Sequence, residues 1–179
     1  FNSDEYHVAH PSLSADGQTM VFSRLIQGQE DFFVSKKKEG IWQSAEPLVE
    51  LNTPFNEAGH CLSPDGKTLY YTACNQAKSL GGCDIYVSYY RDSSWTAPAN
   101  LGAPINSGAW ESLPSISAAG RAMIFASDRA GGVGGRDLWL SRQLPDGKWS
   151  APRNLGAKVN TKGDEQAPFL HPDGATLYF

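Results

Sequence analysis

The chain has 179 residues, 40% of them hydrophobic and 11% aromatic, enough to bury a sizeable core. Nineteen acidic against fifteen basic residues leave a net charge of −4, so neither nucleic acid nor an anionic membrane surface is the expected partner. No apolar run is long enough to cross a membrane as a helix, and no membrane insertion is expected.

The punctuation of the chain repeats. Trp42, Trp95 and Trp149 stand 53 and 54 residues apart; Asp31, Asp84 and Asp137 stand 53 and 53 apart; Glu57, Glu111 and Glu165 stand 54 and 54 apart. One period shared by three markers points to a solenoid, a propeller or an array of small modules.

Phe1-Asn2-Ser3 matches the later unit endings Ile105-Asn106-Ser107 and Val159-Asn160-Thr161, so a further unit is expected before it. The first unit, residues 4–55, is the least regular. Its first strand spans His10 to Ser14. The preceding Asp4-Glu5-Tyr6 fits the later Asp164-Glu165-Gln166 only with about three inserted residues; without a gap, Val8 falls in the glutamate column. Its second hairpin, Arg24 to Glu30, is short, and Lys36, Lys37 and Lys38 read as a solvated hairpin tip.

The second unit, residues 56–108, carries all three cysteines. Cys74 and Cys83 bracket the loop between its second and third strands. Facing positions at a hairpin mouth suit disulfide geometry, and the alternative is two unrelated thiols. Cys61 lies in the first strand and is expected to be a small buried hydrophobe.

The third unit, residues 109–163, shows the pattern most clearly. Its apolar runs are Leu113 to Ser117, Ala122 to Ser127, Asp137 to Arg142 and Trp149 to Leu155, bounded by Gly, Pro, Asp and Ser, which is strand chemistry. Residues 164–179 begin a fourth unit. Tight turns join the first two strands at Ala15-Asp16-Gly17, Pro64-Asp65-Gly66, Ala118-Ala119-Gly120 and Pro172-Asp173-Gly174. Four antiparallel strands per unit, repeated in tandem, predict an all-β fold: a β-propeller of four-stranded antiparallel blades, with about three and a third blades here and more expected beyond.

Turns after first and third strands share one face. The opposite face gathers the loops Ala73 to Cys83 and Ser127 to Arg136 with the links holding Asn52, Asn106 and Asn160, and rigidly mounted loops carry function. Candidate binding residues there are Trp110, Glu111, Asp128 and Arg129. Trp110 is either exposed or a staple between blades. Glu57, Glu111 and Glu165 are expected to begin successive first strands at the channel mouth, with His60 deeper. Their carboxylates either hold a cation or a basic group of a partner, or accept backbone amides that fix blade spacing.

The chain carries few signatures of chemistry. No histidine pair has ligand spacing, no Gly-x-Ser-x-Gly elbow occurs, and Gly-Gly-Val-Gly-Gly lacks the helix or Lys of a phosphate cradle. The aspartate column is better read as capping backbone amides than as acid–base machinery. No catalytic residue, metal site or cofactor is expected.

PSLSADGQTMVFS, CLSPDGKTLYYTA, PSISAAGRAMIFAS and FLHPDGATLYF, followed by DFFVS, DIYVS and DLWLS, resemble the TolB-type, WD-repeat-like blades of bacterial envelope proteins. More narrowly, ASDRAGGVGGRDLWLS and KWSAPRNLGAKVNTKGDEQAPFLHPDG are similar to the propellers of OmpA-family envelope proteins, as in the PorE-like component of the type IX secretion system. The resemblance implies a non-catalytic interaction scaffold in the periplasm, associated with the outer membrane. Its partner would be a protein or peptide, and peptidoglycan would be reached only through a domain outside this chain. The alternative is the propeller of a hydrolase resembling prolyl oligopeptidases, or of a TolB-like metal-dependent polysaccharide lyase.

Overall fold

The computed structural model describes residues 7–179, so the readings of Phe1-Asn2-Ser3 and Asp4-Glu5-Tyr6 lie outside the described residues. In chain order the strands are β1 (His7–Leu13), β2 (Thr19–Ile26), β3 (Gln29–Lys38), β4 (Ile41–Trp42), β5 (Glu46–Pro47), β6 (Glu57–Leu62), β7 (Thr68–Cys74) and β8 (Cys83–Arg91). They continue with β9 (Ser94–Trp95), β10 (Ala99–Asn100), β11 (Glu111–Ile116), β12 (Ala122–Ser127), β13 (Asp137–Arg142), β14 (Arg153–Asn154), β15 (Phe169–Leu170) and β16 (Leu177–Tyr178).

Each unit folds into its own antiparallel sheet. The orders are β1-β2-β3-β5, β6-β7-β8-β10 and β11-β12-β13-β14, with β15-β16 starting a fourth. The sheets stack face to face as a partial β-propeller. Three apolar clusters fill the three junctions. Val21, Phe32, Leu69 and Tyr71 lie in the first, Ile85, Met123 and Phe125 in the second, and Ile124, Leu138 and Leu170 in the third. β12 shows why its sequence does not alternate polar with apolar: Met123 and Phe125 face one neighbour while Ile124 and Ala126 face the other. Burial on both faces turns a strand into a continuous apolar run.

The fourth strands differ from the predicted ones. β14 covers only Arg153–Asn154, while Trp149 sits on a small hairpin bridged to Gln143. Pro152 removes a donor from the ladder between the two. Ser141 of β13 compensates, its hydroxyl donating to the Ser150 carbonyl at 2.7 Å; Ser35 and Ser88 do the same toward Gln43 and Thr96.

Every complete blade carries a bulge in its first strand, at Ala9/Ser12, Ala58/Cys61 and Ser112/Ser115. His10, Gly59 and Leu113 there take left-handed φ of 52°, 52° and 55°, and Ala167 repeats it at 52°. At Gly59 the glycine also makes room, since a Cβ would collide with the Leu113 side chain of the next blade. The ladder registers settle the first unit's alignment. Val8 pairs with Arg24 as Glu57 pairs with Ala73, so Val8 occupies the glutamate column and no gap is needed.

Candidate functional site: the loop face and its supports

The three glutamates are buried at or just before the start of a first strand, each turned back onto the link that precedes it. Glu57 accepts the Thr53 amide at 3.0 Å and the Thr53 hydroxyl at 2.5 Å. Glu111 accepts the Ser107 amide and hydroxyl at 2.8 and 2.7 Å, and Glu165 those of Thr161 at 2.9 and 2.5 Å. A carboxylate that closes a turn four residues back satisfies two donors otherwise lost on burial. Glu57 and Glu111 open β6 and β11, whereas Glu165 stands four residues ahead of β15 and opens no strand. Burial pushes the Glu57 carboxyl above the usual range, while its bonds from Thr53 pull the other way.

Around the third blade the structure brings four of the candidate residues together. The Arg129 guanidinium lies 3.1 Å from the Glu111 carboxylate, donates to the Ile105 and Pro104 carbonyls, and rests on the rings of Phe125 and Trp139. Burial lowers its pKa, and Glu111 opposes that shift. Arg129 is therefore spent on holding the link to β12, not extended toward solvent. Asp128 accepts the Trp110 amide at 2.8 Å. Trp110 itself is half-buried, packed against the third junction, with the Arg136 guanidinium 4.2 Å above its ring. Glu57, His60 and Glu165 share no hydrogen bond or ion pair with this group.

The long loops are braced from inside. Asp84 gathers the amides of Leu80 and Gly81 at 2.7 and 3.1 Å and the Asn100 side chain at 2.6 Å. Asp137 repeats this with Val133, Gly134 and Asn154. Cys74 and Cys83 are joined in a disulfide across the neck of residues 75–82. Leu80 and Val133 stand exposed at equivalent places on the two loops, 53% and 41%. At Gly134 a Cβ would strike the Thr161 and Gly163 carbonyls, so only glycine lets that loop press on the next link.

Two further columns escaped functional reading in the sequence, although their period was visible. Asn52, Asn106 and Asn160 each clamp one residue of the preceding third strand: Asn106 accepts the Ile85 amide and donates to its carbonyl, both at 2.8 Å. Asn52 treats Phe32 and Asn160 treats Leu138 alike. The second column stitches blades together. Ser12 accepts the Leu62 amide at 2.8 Å, Cys61 the Ile116 amide at 3.4 Å, and Ser115 the Leu170 amide at 2.9 Å. Cys61 is thus more than a small hydrophobe, and burial raises its thiol to about 11.

His60 is the exception at the first junction. It is buried edge-on to Phe32 at 4.9 Å, and neither ring nitrogen has a hydrogen-bond partner among the described residues; the Val21 backbone approaches it outside hydrogen-bonding geometry. Its burial lowers the pKa to about 4. Ser23, across the same junction on β2 of the first blade, also lacks a partner among the described residues, because Ala58 stands where Ser112 meets Thr72 at 2.8 Å one junction on. Among the described residues no group of three or more His, Cys, Asp or Glu is placed to hold a metal ion.

The sequence matches no family model and no curated protein. The fold is similar to that of TolB from Acinetobacter baumannii, with TM-score 0.67 and 18% identity over 98% of this chain and 38% of that one. A TolB-type protein of Agrobacterium tumefaciens gives 0.65 and 16% over 98% and 59%. A prolyl endopeptidase gives 0.56 and 15% over 97% and 25%. The chain thus spans less than two thirds of each, and at these identities the likeness establishes the propeller fold.

Proposed function

We propose that this chain is a non-catalytic interaction module of the bacterial cell envelope, working in the periplasm and presenting its loop face to a protein or short peptide. The observation that carries the reading is the internal commitment of that face. Asp84, Asp137, Glu111, Arg129 and the Asn column are all bonded to backbone or to one another, which holds two loops rigid and turns Leu80 and Val133 outward. Rigid loops on a packed scaffold are a surface for recognition. The disulfide supports an oxidising compartment. Placement among OmpA-family envelope proteins, at the outer membrane and beside the type IX secretion system, rests on the sequence resemblance.

The test is purification of the full-length protein from detergent-solubilised envelope, beside a Leu80→Asp, Val133→Asp variant. A stoichiometric partner lost in the variant supports the reading; a partner that the variant retains removes the loop face from it. The likeness to a prolyl endopeptidase over 97% of this chain favours, as a second reading, a propeller mounted on a hydrolase. Peptide cleavage by the full-length protein would decide for that reading.

A further inference from the structure

We infer that the cleft between the first two blades, on the face opposite the long loops, is a docking site for a short peptide segment carrying arginine or lysine beside an apolar side chain. The cleft encloses about 680 Å³, within the range of ligand sites. One bank is the segment from Gln43 to Glu50, and the other is the hairpin bearing Tyr90 and Trp95. A backbone bond from Ala15 to the Pro64 carbonyl, 2.8 Å, closes its inner end.

Its floor is apolar and its rim is negative. Val34, Leu48 and Trp95 lie below, with Val49 70% exposed at the lip. Asp16, Glu46, Glu50 and Asp65 face Lys36 and Lys67, four carboxylates against two amines. The side chains of Glu46 and Glu50 have no hydrogen bond or ion pair among the described residues, and both are exposed. The Tyr90 ring already takes an ammonium on its face, for Lys36 Nζ lies 5.3 Å from its centroid. That lysine marks the chemistry the ring accepts, since a cation over an aromatic face is attracted by its quadrupole.

Packing alone does not explain the arrangement, because the next junction lacks it. There the cleft shrinks to about 300 Å³. Tyr89 stands in place of Lys36, Gln143 in place of Tyr90, and Ala99 and Ala103 in place of Glu46 and Glu50. Carboxylates at exposed rims contribute to the choice of partner by charge complementarity.

The full-length protein at low ionic strength is titrated with the capped pentapeptide Gly-Leu-Arg-Leu-Gly and with its glutamate counterpart, following tryptophan fluorescence and heat. Saturable binding of the arginine peptide, weakened by salt and absent for the glutamate peptide, is expected. Glu46→Gln with Glu50→Gln weakens it about five- to tenfold, as two exposed pairs would. Lys36→Met strengthens it severalfold by removing the ammonium that competes for the Tyr90 ring. All three side chains are exposed, so the melting temperature stays as it was and a lost fold is not mistaken for a lost site. Equal binding of both peptides, or binding unchanged in the double variant, overturns the inference. So does binding of a neutral oligosaccharide in place of the peptide.

Discussion

The thiol of Cys61 in the second blade accepts the backbone amide of Ile116 in the third, 3.4 Å away, at the position where Ser12 and Ser115 present hydroxyls to their own next blades. A hydroxyl makes the shorter and stronger bond, and the two side chains are nearly the same size. Cys61→Ser is therefore expected to leave stability within about 1 kcal/mol, while Cys61→Val strands the Ile116 amide and costs about 1–3 kcal/mol. Denaturant midpoints of the two variants check this, and equal losses would remove the stitch from the account.

The acidic column is expected to be unequal under mutation. Glu111 is fully buried and paired with Arg129, whereas Glu165 closes its turn with no ion pair among the described residues. Glu111→Gln leaves a buried guanidinium uncompensated and is expected to cost about 3 kcal/mol. Glu165→Gln, losing charge-assisted bonds alone, is expected to cost about 1 kcal/mol. Adding Arg129→Met to Glu111→Gln should cost little more, because the pair acts as a unit. Additive losses in that cycle would show the two residues to be independent.

Stability is expected to fall in acid through His60. Its folded pKa near 4 is below the ordinary 6.5, so below pH 6.5 the unfolded chain binds a proton that the folded one refuses. Stability then declines from about pH 6.5 to about pH 4 and levels off, by at most about 3 kcal/mol for this residue. Glu57, its carboxyl raised by burial, works in the opposite sense near the acid end. Unfolding measured at pH 7 and pH 4.5 should show the slope in the parent and a flatter one in His60→Leu. An unchanged slope would place the titration elsewhere.

Reduction is expected to loosen one loop and leave the blades standing. The cysteines are nine residues apart, and closing a ten-residue ring is worth about 2.7 kcal/mol in the chain-entropy model. Peptide mapping without reductant should find Cys74 joined to Cys83 and Cys61 free. Hydrogen exchange after reduction should rise within residues 75–82, with β7 and β8 protected. Loss of protection across the whole blade would show that the bond supports more than the loop.

By itself, the sequence determined the architecture. A period of 53 to 54 residues, four apolar runs per unit and Asp-Gly turns require four-stranded blades, because these signals are local and each turn needs its own residues. It also displayed the columns of Glu, Asn and Ser, but not what they hold. That Arg129 turns inward to Glu111, which of the two alignments Val8 follows, and that the Cys61 thiol takes the Ile116 amide as the Ser12 and Ser115 hydroxyls take theirs were decided by tertiary structure alone. The reason is geometric. A bulge of one residue rotates each first strand and aims its side chain at the neighbouring blade, some 50 residues away, and burial there depends on a surface the local sequence does not contain. The unequal first junction, where Ala58 and His60 replace Ser112 and Pro114, likewise becomes visible only when two blades are laid face to face.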